Sequence, residues 1–131
     1  MRETTRFALE GGKGEADGRL LFDGRPAARI AGVVLEEQRQ LAIDGEEAFV
    51  LFVTHGCPYE ELLHIYLVDA KGEVVERLEV GGAYAPGILR DVRSLGEREL
   101  AFDFQGPRRL LVKERPAGFF RKRRLEVADS K

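Results

Sequence analysis

Glycine-bearing turn signals punctuate this chain at short intervals and limit it to short elements. They stand at Gly11-Gly12-Lys13-Gly14, Asp17-Gly18, Asp23-Gly24, Asp44-Gly45, Lys71-Gly72, Gly81-Gly82, Leu95-Gly96 and Gln105-Gly106-Pro107. Aspartate before glycine suits a turn, because Gly tolerates positive φ and the Asp side chain bonds its own backbone. Short segments between such signals predict an antiparallel all-β domain. The expected form is a single β-sandwich or barrel of about eight to ten strands, which this pattern does not separate.

Side-chain alternation supports strands. Leu100, Phe102 and Phe104 share one face of 99–104, with Glu99, Ala101 and Asp103 opposite. In 73–80, Val74, Leu78 and Val80 point one way, with Glu73, Arg77 and Glu79 opposite. A half-buried strand has this period of two. Leu62–Val68, then Asp69-Ala70-Lys71-Gly72, then Glu73–Val80 predicts a hairpin closed by a type I turn with glycine in the left-handed position. Two segments do not alternate. Phe49–Val53 is apolar on both faces and Leu62–Val68 nearly so. Such strands lie in the middle of a packed structure or have an outer face covered by another subunit. Val33–Ile43 carries competing signals: its Glu, Gln and Leu residues favour helix, whereas Val33-Val34 and Asp44-Gly45 favour two strands around Glu36-Glu37. The β surroundings decide for strand. Pro58–Glu61 suits one helical turn.

With 131 residues and 44% hydrophobic content, one domain with its own core is expected over 1–131. No apolar run approaches the roughly 18–20 residues that span a bilayer, so no membrane partner is expected. The opening residues hold no apolar stretch, so no secretory signal is expected. A single cysteine, Cys57, excludes an internal disulfide. The cytoplasm is the expected compartment. The absence of Asn, one Met and a third of residues charged suit a thermophile.

Charge is divided unevenly. Residues 1–104 carry 12 Lys+Arg and 20 Asp+Glu, whereas residues 105–131 carry 9 and 3. The basic end, with 119–131 as a C-terminal strand or arm, includes Arg108, Arg109, Arg121, Lys122, Arg123 and Arg124. These residues suit a carboxylate-rich second copy or a polyanion such as nucleic acid, where Phe119 or Phe120 can stack on bases.

Reactive side chains cluster in His55-Gly56-Cys57-Pro58-Tyr59-Glu60-Glu61 and His64. His55, Cys57 and His64 are of types that hold zinc, with Glu60 or Glu61 as a further ligand or base. No standard zinc spacing accompanies them, so no cofactor is expected unless this loop takes zinc. His55, Cys57, Tyr59, His64 and Tyr84 are the candidate ligand-binding residues. Tyr84 stands on a small-residue loop that can close over a ligand or cap the end of a barrel. The expected function is a non-enzymatic, self-associating interaction or binding module, a homodimer. The alternatives are a nucleic-acid-binding accessory protein using the basic arm and a small metal-dependent enzyme using the His55–His64 loop.

Overall fold

A computed structural model describes residues 1–11, 17–56, 62–82, 86–113 and 124–129. Among them the chain forms twelve strands and no helix. In chain order these are β1 (Arg2–Glu3), β2 (Phe7–Glu10), β3 (Asp17–Phe22), β4 (Arg25–Ala31), β5 (Val34–Ile43) and β6 (Glu46–Thr54). The second half holds β7 (Leu63–Asp69), β8 (Val74–Val80), β9 (Arg90–Gly96), β10 (Glu99–Asp103), β11 (Pro107–Val112) and β12 (Leu125–Asp129). They pair antiparallel into three sheets: β1-β5-β6-β7-β8, β12-β11-β10-β9 and β2-β3-β4. The fold is all-β as expected, with the strands in stacked sheets and no closed barrel. No helix among the described residues is long and apolar enough to cross a membrane.

The five-stranded sheet is the middle layer. Successive side chains of a strand point to opposite faces. Val50 and Phe52 of β6, with Leu63, Ile65 and Leu67 of β7, pack against Leu100, Phe102, Phe104 and Leu110 of the four-stranded side. Phe49, Leu51 and Val53, with Tyr66 and Val68, pack against Phe7, Leu20 and Ile30 of the three-stranded sheet. Both β6 and β7 are therefore apolar on both faces because this chain covers both. Phe52 meets Phe102 edge-on at 5.2 Å on one side, and Phe49 meets Phe7 edge-on at 4.9 Å on the other.

The predicted hairpin is β7–β8. The Asp69 carboxylate accepts the N–H groups of Lys71 and Glu73, and Gly72 takes φ of +88°. One detail of its alternation differs. The ladder pairs Leu67 with Glu76 but Val68 with Val74, so Val75 is an extra residue. That bulge turns Val74 to the face opposite Leu78 and Val80. Residues 34–43 likewise form one strand and not two. The ladder passes from Leu35–Val53 to Glu37–Phe52, leaving Glu36 as a bulge that absorbs the break in pattern.

An exposed clasp closes the three-stranded side. Arg6 donates from Nε and Nη2 to the Asp23 carboxylate and pairs with Glu47, while its guanidinium lies 4.6 Å over the Phe22 ring. These bonds hold the Asp23 carboxyl below its ordinary range. A depressed carboxyl stabilises the fold above its unfolded pKa and loses that contribution as pH falls through the folded value. Asp23→Asn is therefore expected to lower stability at neutral pH and to make no difference in strong acid. Urea midpoints across pH check this, and an equal deficit at every pH would contradict it.

Candidate functional site

Polar side chains on a strand buried on both sides stand out, because burying them without partners is costly. On β7 they are His64 and Tyr66, two apart and so on one face, 3% and 1% exposed. Their cross-strand neighbours on β8 are Glu79 and Arg77. The three-stranded sheet covers this face only as far as its edge strand β4, where the Ala31 carbonyl accepts the Tyr66 hydroxyl at 2.9 Å. Between that edge and β8 lies a cleft of about 420 Å³, lined by Asp17, Ala28, Arg29, Ile30, Ala31, Tyr66, Val74 and Arg77. Burial pushes the Tyr66 phenol above its ordinary pKa, and the Arg77 charge opposes that shift.

His55 follows the last residue of β6, and Gly56 turns the chain there with φ of +73°. This sets the His55 ring against that of His64, centroids 5.0 Å apart and planes at 78°. The two Nε2 atoms approach to 2.9 Å, so one carries the shared proton and the other accepts it. Burial first, and the His55 ring second, hold His64 below the ordinary imidazole pKa. His64 Nδ1 has no hydrogen-bond partner, and Glu79 Oε1 stands 3.7 Å away.

The structure thus brings together His55 and His64 of the expected site. Cys57, Tyr59 and Tyr84 lie outside the described residues, as do Glu60, Glu61, Phe119, Phe120, Arg121, Lys122 and Arg123. Among the described residues no three His, Cys, Asp or Glu side chains converge as a metal cluster. The loop that carries Tyr84 begins and ends on the Phe104 ring. An added Cβ at Gly81 or Gly87 would stand 2.8 or 2.6 Å from it.

The described part of the basic end turns back on its own chain. Arg108 donates to the Phe104 carbonyl at 2.7 Å and pairs with Asp129 at 3.3 Å. Arg109 pairs with Glu99 and Lys113 with Glu126. Arg124 pairs with Asp44 at 3.4 Å, while the Glu76 carboxylate accepts the N–H groups of Arg124 and Leu125. Among the described residues, Arg108, Arg109, Lys113 and Arg124 of the basic end pair with carboxylates of their own chain, and both faces of the doubly apolar strands are covered from within it.

Sequence reasoning missed Tyr66, Arg77, Arg29 and Asp17. Tyr66 was accessible to it, as a polar-tipped residue two places from His64 in an apolar run. The other three depend on how β4 and β8 lie across the layers. In comparisons with known proteins, no family model, no curated protein and no solved structure matches the chain.

Proposed function

We propose that this protein is a non-enzymatic binding module whose cleft beside Tyr66 takes a small acid carried on an apolar body. The supporting observation is the pairing of Tyr66 and Arg77 across β7 and β8 at the wall of that cleft. Its volume, about 420 Å³, lies within the range of small-molecule pockets. Ala28, Ile30, Ala31 and Val74 offer apolar surface, and Arg29 and Arg77 offer guanidinium groups. Guanidinium matches a carboxylate or phosphate in a planar, two-point contact. Self-association is not part of this proposal, which rests on the cleft alone.

Phenyl phosphate is a suitable probe in isothermal titration. It is expected to bind saturably at one site, and Arg77→Ala is expected to weaken it at least about tenfold, in line with the worth of a charged hydrogen bond. Arg77 is exposed, so this variant keeps its fold. Unchanged affinity in Arg77→Ala, or no saturable binding by the wild-type protein, would reject the cleft as the binding site.

A further inference from the structure

We infer that His55 Nε2 and His64 Nε2 together bind one divalent transition-metal ion such as zinc, with Glu79 as the carboxylate behind His64. Three observations meet here. First, two imidazole nitrogens converge at 2.9 Å, that of His64 on β7 and that of His55 directly after the end of β6. An ion about 2.0–2.1 Å from both nitrogens would subtend about 90° between them, and a tetrahedral angle needs them about 3.3 Å apart. Rotation of the half-buried His55 ring would widen the gap and turn its Nε2 from His64 toward the shared ion.

Second, His64 is 3% exposed, yet its Nδ1 lacks a hydrogen-bond partner. Third, Glu79 Oε1 stands 3.7 Å from that atom. A metal-bound histidine characteristically turns its second ring nitrogen to a carboxylate, which fixes the tautomer and leaves the other nitrogen free to coordinate. With Nδ1–H of His64 facing Glu79, His64 Nε2 is the lone-pair atom. His55 Nε2 then carries the shared proton in the metal-free protein. On binding, that proton moves through solvent to the other nitrogen of the His55 ring, so two nitrogen–metal bonds form without net proton release.

No third side-chain ligand comes from the described residues. Imidazole donors favour zinc, copper and nickel over magnesium and calcium, which prefer oxygen. The inference goes beyond the cleft reading: neither Tyr66 nor Arg77 is a ligand here, and either proposal can fail alone.

The test uses full-length, metal-stripped protein titrated with Zn²⁺. Native mass spectrometry reads stoichiometry, and long-range ¹H–¹⁵N imidazole spectra read the ligating atoms. The expected result is one Zn²⁺ per chain, with both Nε2 resonances moving and excess Mg²⁺ failing to displace it. His55→Ala is expected to weaken binding by about tenfold or more, and to lower the urea midpoint of the metal-free protein because it leaves the buried His64 Nε2 without its partner. Glu79→Gln should weaken it by about 10-fold or more through His64, with Glu79→Asp restoring part of the loss. Zinc absent at one equivalent would overturn the inference. So would a His55→Ala variant that binds as tightly as wild type, because the ion would then sit on carboxylates elsewhere.

Discussion

Phe49→Ala is expected to destabilise the protein by about 3–5 kcal/mol, read as a lower urea midpoint at unchanged slope. Phe49 is fully buried between the middle sheet and the three-stranded sheet. The Phe7 and Phe22 rings pack edge-on against it at 4.9 and 5.4 Å, and the Arg6 guanidinium lies 5.3 Å from its centroid. Removing the ring forfeits its transfer free energy and leaves a cavity. The neighbours are fixed in paired strands and close that cavity only in part. A domain of this size has a total stability of about 5–15 kcal/mol, so this loss is a large share of it. Val75 is the contrast, 46% exposed on the β8 bulge, and Val75→Ala is expected to cost under about 1 kcal/mol. Equal costs for the two variants would contradict the three-layer packing.

Gly32→Ala is expected to cost about 2–5 kcal/mol from two sources. Gly32 has φ of +99°, a conformation that a side chain disfavours. An added Cβ would also stand 2.4 Å from Val53 Cγ1 and 3.1 Å from the Thr54 carbonyl oxygen. Val53 is fully buried, so it has no room to retreat. Gly45 separates the two effects. It has φ of +77°, and nothing lies within 4 Å of an added Cβ, so Gly45→Ala is expected to cost only the conformational part, about 1–2 kcal/mol. The difference between the two urea midpoints therefore measures the clash with Val53. Ala31 precedes Gly32 and its carbonyl holds the Tyr66 hydroxyl, so Gly32→Ala should also weaken phenyl phosphate binding, whereas Gly45→Ala should not. A Gly32→Ala variant no less stable than Gly45→Ala would show that β4 does not lie against β6 as described.

Local chemistry made part of this fold legible. The β7–β8 hairpin follows from Asp69 and Gly72, because a turn depends on four adjacent residues. The doubly apolar pattern of Phe49–Val53 marks a strand buried on both sides, and the structure supplies both covers from the same chain. Periodicity does not carry the bulges at Glu36 and Val75. Each inserts one residue whose cost the ladder decides, and the alternation of Val74 with Leu78 fails for that reason. The charge split is real in sequence but does not say where opposite charges meet. Arg124 reaches Asp44 only after β12 is laid beside β11 and the start of β12 is tied to Glu76. The site divides the same way. His55 and His64 stand nine residues apart, and the antiparallel return from β6 to β7 brings them together. Arg77 and Tyr66 are cross-strand neighbours within the predicted hairpin, but Arg29, Ala31 and Asp17 join them from another sheet, which no local spacing encodes.

The most direct test of the central claim, that this polar corner is where the protein binds, is an amide ¹H–¹⁵N shift map recorded as phenyl phosphate is added. The expected result is a saturable set of shifts at Arg29, Ala31, Tyr66 and Arg77, with the β9 and β12 amides still. Shifts confined to the basic C-terminal residues, or none that saturate, would contradict the account and move the binding surface away from the cleft.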